Sequence, residues 1–142
     1  MLKADGGRIS NVGRLEASNG AGESSIEIDG GMGGNVAFEL GSGTEADRVL
    51  ATTQGGSVAV KEGAAIVATA IDLRAPSGSI GISGQLTGRD SALSPSQISL
   101  DSSPGGSVEI GPTGTVQGSQ VAVNADLGSV KIQPGGSVFG NV

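Results

Sequence analysis

The chain has no cysteine, histidine, tryptophan or tyrosine, and only 2 phenylalanines in 142 residues. Without histidine and cysteine, triads and dyads that rest on an imidazole or a thiolate are excluded. Zinc sites built from those ligands are excluded with them. Aromatic rings bury the largest areas in ordinary cores, so this interior must be assembled from Val, Ile, Leu and Ala. That suits a narrow, uniform core. Basic residues are also scarce: 8 Lys and Arg stand against 14 Asp and Glu, for a net charge of −6. They form no run, and a nucleic-acid surface needs them clustered. No apolar stretch approaches the roughly 18 residues of a membrane span, so no membrane insertion is expected. The opening Met1–Gly7, MLKADGG, lacks the apolar segment of a signal peptide. The expectation is a chain that either is not exported through such a signal or belongs to a longer polypeptide.

What is abundant is glycine, with 27 residues, and it falls in phase with the apolar residues. GGSVAV at Gly55–Val60 recurs as SGSIGI at Ser77–Ile82, GGSVEI at Gly105–Ile110 and LGSVKI at Leu127–Ile132, with a looser GGNVAF at Gly33–Phe38. The first apolar residues, Val36, Val58, Ile80, Val108 and Val130, are spaced 22, 22, 28 and 22 apart. A fixed period in the low twenties is the mark of a repeat architecture. Within each copy the apolar period is two, that of a strand with one buried face.

A second alternating pair follows the first at an offset of 13: Val49 and Ala51, Ile71 and Leu73, Val121 and Val123, with Ile98 and Leu100 displaced to 18. Between them lies a single apolar position at an offset of 8, occupied by Ile66, Val116 and Val138, and by Thr44 in the Val36 repeat. Three short strands per 22 residues with no helical period predict an all-β fold. It is a parallel β-helix, or β-solenoid, of about six coils forming one domain over residues 1–142. Each coil buries its inner face only by stacking on the next. Residues 1–30 are expected to be irregular, or their coil to carry an insertion in Asn11–Ser25, because Ile9 precedes Val36 by 27 residues, although Ile26 and Ile28 read as a strand.

Residues one period apart should be neighbours, and several were not used to find the period. Glu39 falls beside Lys61, Glu109 beside Lys131, Arg74 beside Asp101, and Pro112 over Pro134. Opposite charges on neighbouring strands are mildly favourable. The Ile80 repeat carries the surplus, and 84–97, GQLTGRDSALSPSQ, reads as a polar loop insertion. Insertions in repeat proteins map to loops on one face, often the binding face. Arg89, Asp90, Ser91 and Ser94 are therefore the candidate binding residues.

Catalytic chemistry has little to work with. Carboxylates and basic residues on a strand face could serve a polysaccharide-active enzyme, and Asp72, Asp101, Arg74 and Lys61 are the candidates. Asp72, however, shares its column with Leu50, Ser99 and Ala122, and Asp101 is matched to Arg74. No catalytic residue, cofactor or metal ligand is assigned. Gly30–Phe38, GGMGGNVAF, approximates the calcium-binding nonapeptide of β-rolls. It occurs once, with Asn35 at the aspartate position, and reads as another coil corner. The threonines do not share a column, as an ice-binding face would require.

GGSVAV, IDLRAPSGSIGISG and GGSVEIGPTGTVQGSQVAVNA, within residues 55–142, resemble the repeats of filamentous haemagglutinin-like exoproteins, large bacterial adhesins exported by two-partner secretion. The resemblance implies a rigid, right-handed β-helical shaft, secreted or held at the cell surface, whose partner is a host or neighbouring cell. The secretion domain of that family carries Asn-Pro motifs, and this chain has none, so the likeness is to the shaft. Gly111–Val142 is also similar to bactofilins, cytoplasmic filament proteins that polymerise end to end, although their coils are shorter. The expectations are thus a structural, non-enzymatic shaft segment; as an alternative, a self-assembling filament subunit whose partner is another copy; and, third, a polysaccharide-active enzyme. The last coil starts at Val130, and its third strand would begin near residue 143. The chain is accordingly expected either to continue into further coils or to stack on copies of itself.

Overall fold

The structure is a computed structural model and describes residues 1–18 and 23–140. Its described residues contain eighteen strands and no helix. The first coil holds β1 (Leu2–Lys3), β2 (Arg8–Asn11) and β3 (Arg14–Glu16). The second holds β4 (Ser25–Met32), β5 (Asn35–Phe38) and β6 (Gly43–Glu45), and the third β7 (Arg48–Gln54), β8 (Ser57–Val60) and β9 (Ala65–Ala68). The fourth comprises β10 (Ala70–Arg74), β11 (Ser79–Ile82) and β12 (Gln85–Gly88). The fifth comprises β13 (Gln97–Asp101), β14 (Ser107–Ile110) and β15 (Thr115–Gln117), and the sixth β16 (Gln120–Asn124), β17 (Ser129–Ile132) and β18 (Ser137–Phe139).

Every strand pairs in parallel with its counterparts one coil away, giving three six-stranded sheets. Sheet A contains β1, β4, β7, β10, β13 and β16; sheet B contains β2, β5, β8, β11, β14 and β17; sheet C contains β3, β6, β9, β12, β15 and β18. The expected β-solenoid is what the chain forms. The register is also the expected one: Val36 pairs with Val58, Val58 with Ile80, Ile80 with Val108, and Val108 with Val130. In sheet A, Val49, Ile71, Ile98 and Val121 fall in one column.

The interior is a stack of aliphatic rungs. Ile28, Val58, Ile66, Leu73, Ile82, Leu86, Leu100, Val108 and Val116 are completely shielded from solvent. Each such side chain contributes roughly 1.5–3 kcal/mol by leaving water. Phe38 is the single aromatic at the centre. Thr44 points inward in sheet C where the coils above have Ile66 and Leu86. Asn11, from the coil below, answers it: its amide nitrogen donates to Thr44 Oγ1 over 3.1 Å. A buried hydroxyl is tolerable when so partnered.

Two expectations are corrected. Residues 1–30 are not irregular throughout, since β2 pairs with β5 and β4 with β7 in the common register. The surplus falls in the eight residues between β3 and β4, with one further residue at the register shift between Asp29 and Met32 in β4. Of the eight, 19–22 lie outside the described residues. The second correction concerns 84–97. Gln85–Gly88 is a strand, Leu86 is a core residue, and Gln97 opens β13, so the loop is only 89–96. The corner before β12 holds two residues, Ser83 and Gly84, where the preceding coil has the four residues Lys61–Ala64. Leu86 therefore arrives two positions early and escapes an offset-of-8 search.

The paired glycines of the repeat have two separate causes, visible at Gly55 and Gly56 in the corner from sheet A to sheet B. Gly55 has φ of +72°, a left-handed conformation that glycine adopts without penalty. Gly56 has no room: a Cβ there would lie 1.7 Å from the carbonyl oxygen of Gly34 in the coil below. The same collision recurs at Gly78 against Gly56, Gly106 against Gly78, and Gly128 against Gly106. Those carbonyls accept the N–H of Ser79, Ser107 and Ser129 in the next coil, which draws the corners together. At the first position Ser77 and Leu127 replace glycine, at φ of 57° and 60°. A left-handed non-glycine residue costs about 1–2 kcal/mol, which a stack can absorb. A side chain at the second position meets backbone that cannot move aside.

Candidate binding site at the insertion corner

The corner from sheet C to sheet A is built differently. Immediately before each strand of sheet A from β4 onward stands a polar residue: Ser24, Asp47, Thr69, Ser96 or Ser119. Their carbonyls carry the ladder from coil to coil, with Arg48 N–H bonded to Ser24, Ala70 to Asp47, Gln97 to Thr69 and Gln120 to Ser96. Both eight-residue insertions leave and rejoin the stack at this corner, 17–24 in the first coil and 89–96 in the fourth. Both return through a buried serine. Ser24 Oγ accepts the N–H of Asp47 over 3.0 Å, and Ser96 Oγ accepts the N–H of Ser119 over 2.9 Å. The serine hydroxyl thus resets the inter-coil ladder wherever a loop has interrupted it.

Aspartate completes both arrangements. Asp47 accepts from the N–H and the hydroxyl of Ser24, each at 2.8 Å. Asp90 accepts from the Ser96 N–H at 2.7 Å and from the Ser119 hydroxyl. The Ser24 backbone and side-chain bonds hold the Asp47 carboxyl below the ordinary aspartate range. The Ser119 hydroxyl, then Ser96, does the same for Asp90. Hydrogen bonds to a carboxylate favour its charged form.

The four residues singled out in the sequence are therefore brought together, but as anchors of the loop. Arg89 reaches back over the third coil to Glu45, with Nη1 to Oε1 at 2.7 Å. Asp90 pins the loop foot to the sixth coil through Ser119. Ser91 closes a turn, its N–H bonded to the Ser94 carbonyl and its Oγ accepting the Ser94 N–H. At the tip Leu93 is 95% exposed.

The loop forms one wall of a groove of about 840 Å³ on the outer face of sheet A, which sequence reasoning missed. Pro95 lines it on the loop side, Arg48 closes one end, and Ala70, Ser99 and Ala122 supply a low floor with Gln97 and Gln120 above it. The signal was present in the sequence as small residues in the outward positions of sheet A. It becomes a groove where Pro95 of the loop borders those positions.

The charge pairs are placed as the register requires and bonded less simply. Glu109 and Lys131 are opposite each other, 4.0 Å between charged atoms. Arg74 is opposite Asp101, yet its guanidinium forks onto Asp72 two residues earlier, at 2.9 and 2.5 Å. That contact, with Asp72 the main cause and Asp101 a lesser one, raises the Arg74 pKa. Glu39 takes hydrogen bonds from Ser10 and Arg8, which lower its pKa, and Lys61 adds a weaker attraction. Asn35, at the aspartate position of the nonapeptide-like segment, accepts the N–H and hydroxyl of Ser57 in the next coil. Among the described residues no three carboxylates converge on a point where a metal ion could sit. Among the described residues no helix is long and apolar enough to cross a membrane. The chain matches no family model, no curated protein and no solved structure.

Proposed function

We propose that this chain is a segment of the β-solenoid shaft of a bacterial adhesin, secreted or exposed at the cell surface, acting structurally rather than as an enzyme. The observation that supports it is the uniform stack: six coils hold three parallel sheets in one register around a continuous aliphatic interior. A stack of this kind is the geometry of a shaft. The likeness of residues 55–142 to adhesin repeats points the same way. The test is location. Antibody against the chain should label intact cells or the secreted fraction and detect a polypeptide much longer than 142 residues. Signal confined to the cytoplasm would overturn the reading.

A second reading, a subunit that stacks end to end on its own copies, draws on the first coil. Leu2 lies in the column of Ile28 in sheet A and is 46% exposed, while Val130 and Ile132 are exposed in sheet B, so each end presents apolar side chains. An edge with unpaired backbone groups templates pairing with another strand. Electron microscopy of the isolated chain would show fibres on this reading. A monomer at high concentration with protected amides in Lys131–Val138 would contradict it.

A further inference from the structure

We propose that the groove on the outer face of sheet A is a binding site for an uncharged oligosaccharide. The proposal does not rest on the shaft reading, because a smooth shaft needs no groove and a filament could carry one.

The groove has the volume of ordinary small-ligand sites. It crosses four neighbouring strands, β7, β10, β13 and β16. Three strand spacings of about 4.8 Å make it roughly 14 Å long, a length that fits an oligomer better than a single sugar. Its recognition groups are side chains alone. The strand N–H and C=O groups beneath are spent on the neighbouring coils, so an extended peptide gains no ladder here as it would at a sheet edge. Gln97 and Gln120 stand side by side, exposed, on adjacent strands. A primary amide offers two donors and an acceptor, which suits the mixed donors and acceptors of sugar hydroxyls. The hydroxyl of Ser99 lies in the floor between them and Asp72.

Charge argues for a neutral ligand. Asp72 is held by the Arg74 fork, so that pair cancels, and Arg48 is the one charge remaining among the lining residues. An anionic chain would meet one arginine and an acidic protein of net charge −6. With no aromatic platform, a single groove binds weakly, with Kd on the order of 0.1–1 mM, a gain of only about 4–5.5 kcal/mol.

The test uses the intact chain with four neutral probes, maltohexaose, cellohexaose, xylohexaose and chitohexaose, and with a heparin hexasaccharide as the charged comparison. Binding is read by saturation-transfer NMR and titration. At least one neutral hexaose is expected to bind, indifferent to raising NaCl from about 50 to 500 mM, because no charge pair is formed. The double variant Gln97→Ala/Gln120→Ala should weaken it about 10-fold or more, and Ala122→Trp, which fills the floor from outside the core, should abolish it. Both variants should keep the parent's circular dichroism and melting temperature. Four results would each overturn the proposal: no neutral probe binding at about 5 mM, an affinity unmoved by both variants, binding only to heparin and lost in salt, or self-association that Ala122→Trp abolishes. The last would assign the face to a second copy.

Discussion

Two corners of the same coil behave in opposite ways. From sheet A to sheet B the chain turns through paired positions whose second member is glycine in every coil from Gly34 to Gly128. No insertion interrupts them beyond the few residues of Ser102–Gly106. From sheet C to sheet A the turn shrinks to Thr69 alone in one coil and expands to eight residues in two others. The difference lies in what the coil below places at the turn. At the glycine corner it places a carbonyl oxygen where a Cβ would sit. At the serine corner it places a short polar side chain that can bond to whatever returns. Variation in a solenoid is thus permitted where the inter-coil contact is a side chain, and refused where it is backbone on backbone.

The sharpest way to break this comparison is Gly78→Ala. Its Cβ would stand 1.9 Å from the Gly56 carbonyl oxygen, so the coils must separate. We expect a loss of roughly 3 kcal/mol or more, read as a melting temperature lower by ten degrees or so. A loss under about 1 kcal/mol would show that the corner can relax. At the other corner, Ser96→Ala removes the acceptor for the Ser119 N–H from a completely shielded site. This should cost about 1–2 kcal/mol, with the rest of the fold intact by circular dichroism.

Acidification tests the same corner through its carboxylate. The Asp90 pKa is lowered in the folded chain, first by Ser119 and then by Ser96. Its contribution is therefore fully present above the unfolded aspartate value of about 3.9 and is lost as pH falls through the lower folded value. Amide exchange in Ser91–Ser96, relative to the sheet-B corner, should rise as pH falls below about 4. Asp90→Asn should already show the faster exchange near neutrality and lose the pH step. At Leu127, with φ of 60°, substitution by glycine should stabilise by up to about 1 kcal/mol. No gain would mean the left-handed backbone is not what favours glycine there. Deletion of 90–95 should matter least. It leaves Arg89–Ser96 as a two-residue corner, the length of Gly118–Ser119, and the melting temperature should stay within a few degrees.

The regular corner is also the one that was legible. Gly-Gly-Ser followed by alternating apolar residues states its strand, turn and period in six letters, and sheet B could be read from Val36 to Val130 without error. Sheet A followed from an offset of 13, displaced to 18 at Ile98. Sheet C was harder because its strands, β9 with Ile66 and Ala68 apart, place a single residue inward, and a corner two residues shorter was enough to hide Leu86. The candidate site was legible as a segment and not as a geometry. Arg89, Asp90, Ser91 and Ser94 mark where the loop lies. Their bonds to Glu45, Ser96 and Ser119 depend on coils far apart in sequence. The groove depends on small outward residues, Ala70, Ser99 and Ala122, which carry no pattern of their own.

Transplanting the loop tests the account most directly. The six residues 90–95 would be inserted after Ala68, ahead of Thr69 in the serine-type corner of the third coil, and, in a separate chain, between Ser77 and Gly78 in the glycine corner of the next. Melting followed by calorimetry, with amide exchange to locate any opening, compares the two. The account predicts a melting temperature within a few degrees of the parent for the first chain. For the second it predicts a drop of ten degrees or more, with exchange rising in β10, β11 and their neighbours in sheets A and B. Equal effects at both corners would contradict it.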